Sequence, residues 1–259
     1  DGNLDDKTWN KELIETLKEQ MSPEKLANII YVADSAAVTK DSLDKFVDLN
    51  LKFISRLPNT YSLSAQLIER AWDENDWQQV GALAPGKNKA VYRLKEFDGE
   101  LYGHKFRFVV VHSSQLDKRK LKSLNRRLDK ERANLEKAAL KQQKLSFACE
   151  ADAKDALTRF IKEHGSPFFP VSGKAEIGTE RVKRAKRGRP AKNESPQYQE
   201  VYKLQIEIGD LNQDRYKQEQ ERLSCFVLIS SVPKANYTGL ELLQEYKQQS
   251  VVENRFKFI

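Results

Sequence analysis

Apolar residues recur along this chain in two rhythms, helical and strand-like, and their order predicts an α/β core opened by an insertion. Residues 7–20 carry Leu13, Ile14 and Leu17 on a helical stripe, with Trp9 one turn earlier. Residues 27–33 are a short, nearly all-apolar run that stops abruptly at Asp34-Ser35, as a strand buried on both faces does. A second helix is expected over 40–49, with Leu43, Phe46 and Val47 on one side, and a second strand over 52–57, stopped by Pro58. Strand, helix and strand at this spacing form a βαβ unit, which implies parallel neighbours in one sheet.

Beyond Pro58 the rhythm changes. Residues 90–97 and 101–111 are β-rich and flank Asp98-Gly99, a dipeptide suited to a tight hairpin turn. Residues 115–144 contain neither Pro nor Gly and place Leu121, Leu124, Leu128 and Leu135 at heptad-like spacing, which predicts one long helix. A shorter, antiparallel helix is expected at 151–163, with Ala153, Ala156, Leu157, Phe160 and Ile161 as its inner stripe. Residues 165–200 lack periodicity and read as loop or linker. Tyr202, Leu204, Ile206 and Ile208 alternate as a half-buried strand, and 225–229 is a second buried-strand run. Thr238-Gly239-Leu240-Glu241 has the form of a capping box opening a last helix. The expected division is a core of 1–59 and 223–259 around an insertion of 60–222, the latter holding a hairpin, a helical hairpin, a basic linker and a strand.

Composition narrows the function classes. The formal net charge of +7 favours an acidic partner, of which nucleic acid is the commonest. Cys149 and Cys225 stand far apart among only three histidines, so neither a disulfide framework nor a zinc site is expected, and a cytoplasmic setting is the plainer reading. No apolar run approaches the roughly 20 residues that cross a bilayer, and no secretory signal is visible. Asp1 and the terminal Phe256-Lys257-Phe258-Ile259 both have the look of cuts in a longer chain.

Two carboxylates stand out. Asp34 directly follows an apolar strand, where open α/β sheets place their sites; the plainer reading is an Asp that opens a turn or caps the next helix. In the last helix Tyr246, Gln249 and Glu253 stand at offsets of 0, 3 and 7 and share one face, which also fits an ordinary solvated face.

Taken together, these segments resemble a known family. Tyr31-Val32-Ala33-Asp34-Ser35-Ala36, followed by Phe53-Ile54-Ser55-Arg56-Leu57-Pro58, resembles the second-aspartate region of insertion-sequence DDE transposases. The last helix is similar to their Tyr-x2-Arg-x3-Glu-x6-Lys signature, with Tyr246 and Glu253 matching. Gln249 stands where the family usually has Arg, and the Lys position falls beyond the chain. Asp1-Gly2-Asn3 looks like the Gly-Asn stretch that follows the third core strand. The resemblance implies an RNase H-like core with a large α+β insert. Asp34 and Glu253 would be two of three carboxylates around a pair of Mg²⁺ or Mn²⁺ ions, with Tyr246 and Gln249 in support. The first aspartate would lie upstream of residue 1, so the chain alone is expected to be inactive. Two metals about 4 Å apart can activate a nucleophile and clamp the leaving oxygen in phosphodiester cleavage and strand transfer. Hard cations of this kind take oxygen ligands, which explains carboxylates in place of His or Cys. The implied partners are transposon ends and target DNA, bound by a homodimer, with no membrane involved. A neutral Gln in place of Arg offers a weaker phosphate contact. A non-catalytic DNA-binding protein and a decayed transposase remnant are the rival readings.

Basic segments add a second strand of inference. Arg181, Lys183, Arg184, Lys186, Arg187, Arg189 and Lys192 are seven basic residues in a stretch with no acidic one. Within it, Arg187-Gly188-Arg189-Pro190 looks like the core of an AT-hook, which lays Arg in a narrow minor groove; a charged linker is the alternative. Arg126, Arg127, Lys130 and Arg132 cluster on the long helix, to be read as a solvated face or a backbone contact. Trp72 and Trp77 are expected to pack internally and not to stack on bases.

Overall fold

The computed structural model describes residues 6–83, 89–182 and 195–256; the side chains of 6–11, 13, 23 and 249–256 lie outside the description. The fold is mixed α/β and divides into two compact units. One comprises the residues through Asp117 and those from Gln220 on, and the other is Lys118–Glu219.

The first unit opens with helices α1 (Asp6–Gln20) and α2 (Pro23–Ala27), strand β1 (Ile30–Ala33), helix α3 (Lys40–Asp48) and strand β2 (Lys52–Arg56). Helix α4 (Ser62–Glu74), β3 (Gln78–Ala82), β4 (Val91–Leu101) and β5 (His104–Ser113) complete its first stretch. The second unit holds α5 (Lys118–Gln143), β6 (Ser146–Phe147), α6 (Glu150–His164), β7 (Val171–Arg181) and β8 (Tyr198–Ile208). Helix α7 (Gln213–Leu223) spans the boundary, and β9 (Cys225–Ser230) and α8 (Gly239–Phe256) return to the first unit.

Six strands of the first unit form one sheet in the order β1-β2-β9-β5-β4-β3. As the βαβ spacing predicted, β1 and β2 are parallel, and β9 joins the same sheet antiparallel to β2. Alternation sorts the side chains between two faces. Phe53, Phe108, Val110, Val227 and Ile229 pack with Leu43, Phe46 and Leu67 from α3 and α4. Ile54, Val109, Val111, Phe226 and Leu228 pack with Leu242 and Leu243 from α8. All six residues of β9 are buried, because this central strand is covered on both faces. Each large apolar side chain so buried contributes roughly 1.5–3 kcal/mol, and these two layers hold the unit together.

The hairpin departs from the sequence reading in two ways. It turns at Tyr102-Gly103 and not at Asp98-Gly99, with φ of +54° and +84° at the two turn residues. Both lie in the left-handed region that two-residue hairpin turns require. This register faces Phe97 with Phe108 and Leu94 with Val111, pairs that a turn at Asp98 would separate. The hairpin also belongs to the six-stranded sheet, so the compact unit expected to begin at residue 60 begins at Lys118.

In the second unit, β6, β8 and β7 form an antiparallel sheet. Ala139 of α5 and Ala153, Ala156, Leu157 and Phe160 of α6 pack on Leu204 and Ile206 of β8. Part of the segment expected to be linker is thus a strand. β7 pairs with β8 over its whole length, from Val171 opposite Ile208 to Arg181 opposite Tyr198.

One buried titratable group makes the first unit sensitive to pH. Arg93 and His112 are cross-strand neighbours. The Arg93 guanidinium lies 4.7 Å from the Trp72 ring and 4.9 Å from the Trp77 ring, which confirms internal packing for both tryptophans. His112 Nε2 lies 2.8 Å from Glu221 Oε2, out of line for a hydrogen bond. Burial, and then the Arg93 charge, hold the imidazole below its ordinary 6.5, with Glu221 opposing them. Below pH 6.5 the unfolded chain therefore takes a proton before the folded chain does, and stability falls until the folded ring titrates. Unfolding midpoints across pH 5–8 should drop on the acid side, and His112→Gln should flatten that slope. Equal slopes in the two proteins would remove His112 as the cause.

Candidate functional site

Asp34 sits at the C-terminal end of β1, exposed, with extended backbone. Its Oδ1 accepts a hydrogen bond from the Ala36 N–H at 2.9 Å and caps the 3-10 turn Ser35–Ala37. The plainer reading of this residue, an Asp opening a turn, therefore holds. Its backbone carbonyl accepts a bond of 2.6 Å from Ser55 Oγ, which ties the end of β1 to β2. A carboxylate has about four lone-pair sites, so a single cap bond does not exhaust it. Beside it, the Tyr31 hydroxyl is pushed up to about 12 by burial and by the Asp34 charge.

The strand register fixes what lies opposite. Ala33 pairs with Ser55, which brings Asp34 level with Arg56. Ile30 and Val32 pack on the face that α8 covers, and alternation assigns position 34 to that face too.

Helix α8 starts beside β4. The Thr238 hydroxyl accepts from the Glu241 N–H at 3.2 Å and the Glu241 carboxylate accepts from the Thr238 N–H at 2.6 Å, so the expected capping box is present. Gly239 abuts Glu96 and Leu94 of β4; a Cβ there would run into the Glu96 carboxylate. Eight residues on, the Lys247 amine lies 5.4 Å from the Tyr92 ring and 5.3 Å from the Phe226 ring. The Tyr246 ring is 6.3 Å from Phe226. Phe226 lies at the start of β9, level with the end of β2, so α8 runs antiparallel to β9 toward the end of the sheet that holds Asp34.

Arg56 joins this group, its guanidinium 5.3 Å from the Phe226 ring. Two cations, Arg56 and Lys247, thus flank one aromatic ring at the Asp34 end of the sheet. The sequence reading did not single out either as a functional residue. A cation beside an exposed carboxylate at a strand end is an arrangement that can hold a phosphate next to a reacting centre.

Of the expected site residues, Asp34 and Tyr246 lie at this end of the sheet. Gln249 and Glu253 belong to α8, but their side chains lie outside the described residues, as does any approach of Glu253 to Asp34. Among the described residues no group of three His, Cys, Asp or Glu side chains could hold a metal ion. Asp34 is the hard oxygen donor that Mg²⁺ or Mn²⁺ favours, but one carboxylate does not hold such an ion, and the described residues do not complete the set.

The basic segments divide similarly. Arg181 is the last residue of β7 and is exposed; Lys183, Arg184, Lys186, Arg187, Arg189 and Lys192 lie outside the described residues. On α5, Arg127 pairs with Glu219 at 2.7 Å and Arg132 with Glu136 at 3.0 Å. Part of that cluster is therefore engaged within the unit, as an ordinary charged face would be. Among the described residues no helix is long and apolar enough to cross a membrane. Cys149 is exposed and Cys225 is buried, and neither is in a disulfide among the described residues. Compared with known proteins, the chain matches no family model, no curated protein and no solved structure.

Proposed function

We propose that this chain is most of the catalytic region of a DDE-type DNA transposase, built on an RNase H-like core and using Mg²⁺ or Mn²⁺. The observation that carries the reading is convergence on one end of one sheet. The parallel β1–β2 pair presents Asp34 there, and the helix bearing Glu253 crosses the same face toward that end. Arg56 and Lys247 would steady the DNA phosphate, and the arm from Arg181 to Lys192 would add backbone contacts. A non-catalytic DNA-binding protein is the second reading, and the cap that Asp34 forms on Ala36 favours it.

Metal mapping separates the two in the chain as it stands. Fe²⁺ substituted for Mg²⁺ generates hydroxyl radicals when hydrogen peroxide and ascorbate are added, and these break the backbone beside the bound ion. Fragments ending near residues 34 and 253, suppressed by excess Mg²⁺ and lost in Asp34→Asn, are the expected result. Breaks elsewhere would remove the metal-site reading and leave DNA binding alone.

The arm has its own measure. Replacing its seven basic residues should reduce the log–log salt dependence of DNA affinity by about 0.9 for each phosphate that is no longer neutralised. An unchanged slope would show that the arm does not touch DNA.

A further inference from the structure

The second unit carries a long open strand edge. Its sheet ends on one side at β6, two residues long, and on the other at β7, eleven residues long. Among the described residues no strand pairs with the outer side of β7, which has no proline and no break in register. Edge strands of this length are usually shortened, bulged or covered, because their free N–H and C=O groups recruit another strand.

The ladder shows which groups are free. The Val182 N–H donates to the Gln197 carbonyl at 2.9 Å, and the Gly209 N–H to the Pro170 carbonyl at 2.8 Å. Even-numbered residues of β7 therefore bond to β8. Val171, Gly173, Ala175, Ile177, Thr179 and Arg181 turn their backbone groups outward. Ile177 is also 66% exposed, although it lies on the face where Val171 and Ala175 pack against α6. The helix layer thus ends short of Ile177.

From this edge we infer that β7 pairs antiparallel with β7 of a second copy of this chain, about a two-fold axis at Ile177. Charge selects that register. With Ile177 opposite itself, Lys174 faces Glu180 twice, and Glu176 faces Gly178. A shift of the axis by one residue either way sets Glu176 opposite Glu176, or Glu176 opposite Glu180 twice; like charges directly opposite are destabilising. Centring on Ala175 would pair Lys174 with Glu176, but it would bring the two α6 layers together, because each covers Val171–Ala175. Centring on Ile177 instead sets each α6 opposite the partner's exposed Thr179 and Arg181. The occupant is a second copy because the edge complements itself in charge and covers its own exposed isoleucine. The pairing does not depend on the transposase reading.

Cross-linking and ultracentrifugation test the pairing in the full chain carrying Cys149→Ser, which replaces the sulfur cap on α6 with a hydroxyl cap. Directly hydrogen-bonded antiparallel partners have Cα atoms about 5.5 Å apart, within disulfide range. Ile177→Cys should form a disulfide-linked dimer under mild oxidation, whereas Ala175→Cys and Thr179→Cys should not. In sedimentation, Ile177→Lys and Lys174→Glu should each weaken dimerisation about tenfold or more, and Lys174→Glu with Glu180→Lys should restore it. A chain that stays monomeric, a dimer indifferent to Ile177→Lys, or linkage through residue 175 in preference to 177 would overturn the proposal.

Discussion

Asp34→Asn, made in a polypeptide extended upstream to include the first aspartate that the family resemblance implies, is expected to abolish strand cleavage and leave DNA binding intact. Loss of an outer-shell partner of a metal ligand already costs about 10–100-fold, so loss of a ligand should exceed about a hundredfold. The substitution is informative because of the cap. Asn accepts a hydrogen bond from the Ala36 N–H as Asp does, and Asp and Asn are nearly equivalent at such positions. The Ser55 bond to the backbone carbonyl is untouched. Asp34→Asn thus removes charge and metal affinity while keeping the turn. Asp34→Ala removes both and should cost about 1 kcal/mol of stability in addition. Glu253→Gln should match the Asn variant in cleavage. If Asp34→Asn cuts at the wild-type rate while Asp34→Ala is merely less stable, Asp34 is a turn residue and nothing more.

How much of this was visible in the sequence depended on whether an element carries its own apolar pattern. β1 and β9 are short apolar runs and β2 centres on Phe53-Ile54, so the place of each in a sheet follows directly. The capping box at Thr238 was legible because both partners lie within four residues. β7 was not legible, because the positions on its α6 face include Gly173 and Ala175, which give no alternation to detect. α7 has no buried residue and offers no stripe. The hairpin turn was misplaced because Asp98-Gly99 is a good local turn, whereas the register is decided by Phe97, Phe108, Leu94 and Val111 meeting across the ladder.

The site shows the same division. The place of Asp34 at a strand end is a local property, and the sequence revealed it. Arg56 and Lys247 meet only through Phe226, which the β2–β9 pairing and the path of α8 bring between them. No spacing along the chain announces such a cluster. The domain boundary failed for a related reason. The change of rhythm after Pro58 is real, but β3, β4 and β5 extend the sheet begun by β1 and β2, so the second unit starts only at Lys118.

Arg107→Met should damage the first unit strongly, lowering its stability by about 3 kcal/mol, the low end for breaking a buried ion pair. The Arg107 side chain is only 6% exposed and is fully engaged. Its Nε donates to Glu96 Oε2 at 2.8 Å, a second guanidinium nitrogen lies 2.7 Å from the same oxygen, and the third donates to the Tyr237 carbonyl at 2.6 Å. Removing it leaves a half-buried carboxylate without its cation and a carbonyl without its donor. Glu96 keeps partial contact with water, which is why the low end applies. The loss is one of pairing and not of charge as such. Arg107→Met with Glu96→Met together should therefore cost less than Arg107→Met alone. There is a local consequence too. Tyr237 immediately precedes the Thr238 cap, and Glu96 abuts Gly239, so Arg107 fixes the entry of the helix that carries Glu253. Amide exchange in the first turn of α8 should accelerate in Arg107→Met more than exchange in β9. Chemical unfolding of the two variants and exchange at residues 239–243 make the comparison. Equal stability of the single and double variants would show that Arg107 acts by packing alone, and an unchanged α8 would free that helix from its dependence on the Arg107–Glu96 pair.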